Sequence, residues 1–148
     1  MIHVAVLGYS GSGRTTLANA LAGLVGTRAV REIGELCDRL QSEGPLILDG
    51  IPGSLDELEQ IDDKSPPDRP LQRVLYLQAP AEIRLERISR MVVAGADPAR
   101  ARERMLAPAD LKHLRTRLEP TGRLSVIDAT RSRSEVLADA LEAIGLEV

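Results

Sequence analysis

The run Gly8-Tyr9-Ser10-Gly11-Ser12-Gly13-Arg14-Thr15-Thr16 carries the most chemistry of any stretch in the chain. It matches the phosphate-binding loop G-x-x-x-x-G-K-[ST] at every fixed position but one, because Arg14 stands where the pattern has lysine. In such a loop the glycines let successive backbone N–H groups turn toward one point. The helix that follows adds the positive end of its dipole, so phosphate oxygens are cradled there. The candidate phosphate-binding residues are therefore Gly8, Ser10, Gly11, Ser12, Gly13, Arg14, Thr15 and Thr16, and Thr15 also offers a hydroxyl suited to Mg²⁺. An ordinary strand–turn–helix junction uses the same turn residues. The flanks favour the phosphate reading: His3-Val4-Ala5-Val6-Leu7 reads as a buried strand, and Leu17, Leu21, Leu24 and Val25 recur at helical spacing.

The exchange of lysine for arginine is not conservative. Lysine is a compact point charge that reaches the β- and γ-phosphates, whereas arginine is a planar fork that needs more room. Of 19 basic residues only Lys64 and Lys112 are lysines, so drift in composition explains the substitution as readily as adaptation does. Either way it bears on catalysis more than on binding.

The elements that must position this loop follow from composition and periodicity. A chain of 148 residues, 43% hydrophobic, is sized for a single domain with a substantial core. Tyr9 and Tyr76 are the only aromatics, so the core must be aliphatic and there is no platform for stacking bases along a nucleic acid. Cys37 is the single cysteine and cannot form an internal disulfide, which together with the immediate entry into a strand predicts a cytoplasmic protein without a signal peptide. No apolar run approaches the roughly 20 residues that span a bilayer, and two isolated histidines make no metal cluster. Nothing in the pattern calls for an oligomer, so a monomer is the expectation.

The net charge of −3 conceals an asymmetry. Residues 32–63 carry ten acids against Arg39, while residues 84–117 carry nine bases against four acids. Such runs are usually solvated helix faces, but a basic half beside a phosphate loop suits a polyphosphate.

Along the chain, residues 29–31 predict a short strand, followed by a helix over about 32–42. Pro45 through Gly50 reads as a buried strand ending in Asp49. Ser54, with Glu57 three residues on, predicts a capped helix through Ile61, and residues 62–70 a loop. Arg73 through Leu77 is a further strand, and Pro80 opens a helix lined by Leu85, Ile88 and Val92. Asp97-Pro98 marks another helix start, and Leu111, Leu114 and Leu118 mark a helix stopped at Pro120-Thr121-Gly122. Leu124 through Asp128 is the last strand, and Ser132-x-x-Glu135 begins a terminal helix ending at Gly145. Strands alternating with helices argue for one parallel, doubly wound sheet with ligands at the strands' carboxyl ends.

The loop, the segment Leu46-Ile47-Leu48-Asp49-Gly50-Ile51-Pro52, and the stretch Val74 through Pro80 with Leu85-Glu86-Arg87 together resemble adenylate kinase and related nucleoside monophosphate kinases. Asp97 through Arg102 looks like a remnant of that family's lid, and Gly122 through Asp128 like its final strand. The resemblance runs in order along nearly the whole chain. It implies a three-layer α/β/α fold of the P-loop nucleoside triphosphate hydrolase type, with a five-stranded parallel sheet of order 2-3-1-4-5. Residues 1–148 would form one such domain with reduced acceptor-binding and lid regions.

The same resemblance implies ATP with Mg²⁺ as donor and phosphoryl transfer to a nucleotide or other small acceptor. The open alternative is a catalytically weak nucleotide-binding module used for sensing or partner docking. Arg14, Asp49, Arg87 and Arg102 are the implied catalytic residues. Asp49, with Thr15, would hold Mg²⁺; Arg87 would cover the adenine; Arg102 would fold over the phosphates. On the acceptor side the family's monophosphate-gripping arginine is replaced by Gly53, its base-reading glutamine by Glu57, and its acceptor-helix arginine falls on Asp38 with Arg39 one step away.

Overall fold

The structure is a computed structural model, and it describes residues 3–9, 11–40, 44–67, 70–95, 97 and 111–145. Strand β1 (His3–Gly8) is buried along its whole length and has neighbours on both edges, which is why it reads as a continuous apolar run rather than an alternating one. It leads through the glycine loop into α1 (Arg14–Leu24). Helix α2 (Ile33–Arg39), β2 (Leu46–Asp49), α3 (Leu55–Lys64), β3 (Arg73–Gln78) and α4 (Ala81–Val93) follow. After them come α5 (Leu111–Leu118), a 3₁₀ turn (Glu119–Thr121), β4 (Leu124–Asp128) and α6 (Arg133–Ile144).

The sheet has four strands in the order β2-β1-β3-β4, all parallel. This corrects the expected five strands in the order 2-3-1-4-5. The stretch predicted as a strand at residues 29–31 contributes one bridge, Val30 to Leu48, with Val30 N–H donating to Ile47 O and Asp49 N–H donating to Val30 O. Only Val30 is buried there. Arg31 and Glu32 are exposed, and Glu32 already serves as the N-cap of α2, so the segment has too few extended residues to form a ladder.

Side chains alternate across the sheet and seed a core on each face. Val4, Val6, Ile47, Leu75 and Leu77 pack with Leu17, Ala18 and Leu21 of α1 and Ala140 and Leu141 of α6. Ala5, Leu7, Leu48, Val74 and Tyr76 pack with Leu36 of α2, Leu58 and Ile61 of α3, and Leu111, Leu114 and Leu118 of α5. The layering is therefore α/β/α. Each fully buried leucine contributes roughly 1.5–3 kcal/mol of transfer free energy, and this aliphatic filling replaces the aromatics the chain lacks.

Helix ends follow their sequence signals. The Ser54 side chain accepts the Glu57 N–H, and at α6 Ser132 and Glu135 form a complete capping box. Helix α3 runs on to Lys64, past the expected end at Ile61, and Ser65 then closes it by donating to Ile61 O with Pro66 beyond. The residues 62–64 expected in a loop are thus its last turn. Gly122 and Gly145 close the 3₁₀ turn and α6 at φ 73° and 77°. The helix expected from Pro98 lies outside the described residues.

Candidate functional site

The glycine loop sits at the carboxyl end of β1, where a parallel sheet presents its ligand crevice. Gly11 and Gly13 have φ of 82° and 89°, a region L side chains rarely occupy. Gly11 is doubly required, since a Cβ there would lie 2.6 Å from the Arg84 backbone oxygen of α4. The α1 N-cap is Gly13, with no side-chain cap, so the first N–H groups of α1 have no side chain closing them off. Thr15 and Thr16 lie exposed in that first turn.

Helix α4 and the end of β4 brace the loop. Arg87 of α4 donates to the Gly11 carbonyl at 3.2 Å and also to the Ala129 carbonyl just past β4. Arg84 lies over the Tyr9 ring, 5.0 Å from its centroid. Ser12 is buried, its Oγ has no hydrogen-bond partner among the described residues, and it lies 2.6 Å from where a Cβ on Gly8 would stand. Gly8 is the residue that leaves it room.

Asp49 ends β2 beside this loop with its side chain only 2% exposed. Its Oδ1 accepts from Arg14 Nε at 3.0 Å. Its Oδ2 accepts from Thr15 Oγ1 at 2.9 Å and from Arg31 Nε at 3.1 Å. Arg14 Nη1 also donates to the Gly8 carbonyl at 3.3 Å, and Arg31 Nη2 to Asn19 Oδ1 at 2.8 Å. Room for the Arg14 fork comes from Gly50, at φ 75°, where a Cβ would approach the guanidinium carbon to 3.1 Å.

The structure thus brings Gly8, Gly11, Ser12, Gly13, Arg14, Thr15 and Asp49 together, with Arg87 bracing the loop through two carbonyls. Ser10 and Arg102 lie outside the described residues. Arg31 and Asn19 were missed by sequence reasoning. Arg31 reaches the site only because the Val30 bridge carries the chain past the end of β2, and no local pattern announces that pairing.

At the positions where the resemblance would place an acceptor, side chains bond within the fold. Glu57 Oε1 accepts the Gly53 N–H at 2.7 Å, and Arg39 donates to Thr27 Oγ1 at 2.8 Å. Burial, with Tyr9 adding to it, pushes the Tyr76 hydroxyl above the usual 10.0, against a smaller pull from Arg115, so Tyr76 is a neutral phenol near pH 7. A hollow of about 560 Å³ lies at the amino ends of β3 and β4, lined in part by Arg73 and Arg123. Arg73 is bound to the Gly122 carbonyl and Arg123 to Asp62, so these cations hold the fold together. That hollow is remote from the loop.

Thr15 and Asp49 are oxygen donors of the kind Mg²⁺ takes, and they adjoin. As held, they do not fit a resident Mg²⁺. A carboxylate offers about four acceptor positions, and Asp49 already receives two guanidinium N–H groups and a hydroxyl. One carboxylate between two guanidiniums leaves the cluster net positive, which attracts an anion and repels a dication.

Comparison with solved structures shows that the chain shares its α/β fold with two kinases. A gluconokinase from Sinorhizobium meliloti 1021 superposes with a TM-score of 0.71 at 14% identity, over 97% of this chain and 91% of that one. A deoxyadenosine kinase from M. mycoides, with products dCMP and dCDP bound, superposes with a TM-score of 0.65 at 10% identity, over 97% and 98% of the two chains. No protein-family model and no curated protein sequence matches the chain. Among the described residues no helix is long and apolar enough to cross a membrane.

Proposed function

We propose that the chain binds a nucleoside triphosphate such as ATP through the Gly8–Thr16 loop and transfers its terminal phosphoryl group to a small acceptor. The observation that carries this reading is the braced glycine loop, open at the α1 N-terminus, with Arg14 aimed beside it from Asp49. Phosphoryl transfer asks little covalent chemistry of a protein, because positioning and charge stabilisation carry it. Loop amides would orient the phosphates. Arg14 would spread its charge over the transferring group, since its Nη2 makes no hydrogen bond among the described residues.

The narrower reading as an adenylate kinase is weakened at the acceptor. Gly53 stands where an arginine would grip a monophosphate, Asp38 stands where the acceptor helix would carry another, and Glu57 is committed to capping. Two charge-assisted bonds worth roughly 1.5–3 kcal/mol each are missing there. The second reading, a nucleotide-binding module with little or no turnover, is favoured by one observation: Nε and Nη1 of Arg14 are drawn back onto Asp49 and the Gly8 carbonyl.

Incubation with γ-labelled ATP and a panel of nucleosides, nucleoside monophosphates and sugar acids tests the proposal. Labelled product with at least one acceptor is expected, and AMP is expected to be among the poorest. ATP binding without transfer to any of them would leave the binding module. Arg14→Lys sharpens the choice. A kinase adapted to arginine loses turnover in that variant, whereas a decayed one binds triphosphate more tightly.

A further inference from the structure

We infer that this site holds the phosphate chain without a metal ion, with Arg31 joining Arg14 as a second cationic arm, both anchored on Asp49. The inference rests on the triphosphate-binding reading and deepens it. In kinases of this fold class the metal bridges phosphate oxygens and neutralises their charge. Here that charge is already present in the protein. Arg14 binds Asp49 Oδ1, Arg31 binds Oδ2, and each guanidinium keeps donors that are unspent among the described residues: Nη2 of Arg14 and Nη1 of Arg31.

Two features show that the arrangement is built. Asn19, one turn along α1 from Thr15, fixes the outer edge of the Arg31 fork. Gly50 carries no side chain beside the Arg14 fork, where a Cβ would come within 3.1 Å of the guanidinium carbon. Exposure points the same way. The Asp49 side chain is 2% exposed, whereas those of Arg14 and Arg31 are 33% and 53% exposed. The anchor is thus inside and the arms reach solvent, the disposition expected of a clamp for an incoming anion. Bidentate forks of this kind suit phosphate oxygens better than a point charge does. A dication entering between them would meet two like charges for each carboxylate.

The test is calorimetric titration of ATP into metal-free protein in EDTA, repeated with excess Mg²⁺. An affinity in EDTA equal to or tighter than that in Mg²⁺ is expected. Binding seen only with Mg²⁺ would overturn this inference and leave the triphosphate reading standing. Binding in neither condition would overturn both. Arg31→Ala removes a half-exposed side chain and frees Asp49 Oδ2. It should weaken ATP binding in EDTA by about tenfold, the effect of one lost charge-assisted contact, and make the remaining binding improve on adding Mg²⁺. Unchanged affinity in EDTA would remove Arg31 from the site.

Discussion

Asp49 and Glu57 are carboxylates eight positions apart, and they have opposite fates. Asp49 collects donors from Arg14, Thr15 and Arg31, which lie 35, 34 and 18 residues away in sequence. Glu57 accepts the N–H of Gly53, four residues back, at the start of its own helix. The first carboxylate organises a surface that several elements build together. The second closes a helix end. The residues around the glycine loop are drawn together from distant segments, while Glu57 and Gly53 are taken up in local helix capping. A carboxylate's reach along the chain separates the two cases better than its position in a motif.

The largest effect expected on the donor side comes from Gly11→Ala. The left-handed backbone and the contact with Arg84 oxygen should together cost about 3 kcal/mol in denaturant melts, and the loop should lose its ATP-induced stabilisation. A near-neutral variant would mean that α4 does not set the loop.

Asp49→Asn comes next. It removes the charge that aims Arg14 and Arg31, yet both arginines can return to solvent, so the loss should be about 2 kcal/mol rather than that of a stranded buried ion. ATP binding should weaken in parallel. Stability lost with ATP affinity unchanged would reduce Asp49 to a structural anchor and collapse the contrast with Glu57.

Glu57→Ala should cost about 1 kcal/mol, the value of a helix cap, and leave the ATP-induced shift untouched. A changed shift would return Glu57 to the binding site.

The smallest effect concerns another local cap, Glu135. Hydrogen bonding from Arg131, then from Ser132, holds its carboxyl below the ordinary 4.5. The stabilisation is therefore present above that value and is lost as pH falls through the lower folded value. Fraying of the first turn of α6, read by amide exchange, should begin only below about pH 4.5, where Glu135 starts to protonate. Fraying at neutral pH would show that the capping box contributes nothing.

Much of this was legible in the chain because it is written locally. The glycine loop, the Ser54 and Ser132 caps and the run Leu124–Asp128 each depend on neighbours in sequence, and the structure keeps them. Legibility failed where distant segments decide the outcome. Residues 29–31 have strand-like chemistry, but Val30 alone finds a partner before α2 begins. Arg31 drew notice only as the end of that short strand, and the Val30 bridge places it against Asp49. Arg87 also ties the Gly11 carbonyl to the Ala129 carbonyl just past β4, a contact across 76 residues of sequence that no local pattern announces.

The central claim is that the loop binds a nucleoside triphosphate, and the most direct measurement is the melting temperature of the protein with and without ATP. At a concentration near 100 Kd the linkage gain is about 2.7 kcal/mol, which raises the melting temperature of a domain this size by about 5–10 °C. A rise of that order with ATP, smaller with ADP and absent with adenosine, is the predicted result. No rise with any nucleoside di- or triphosphate at millimolar concentration would contradict the account.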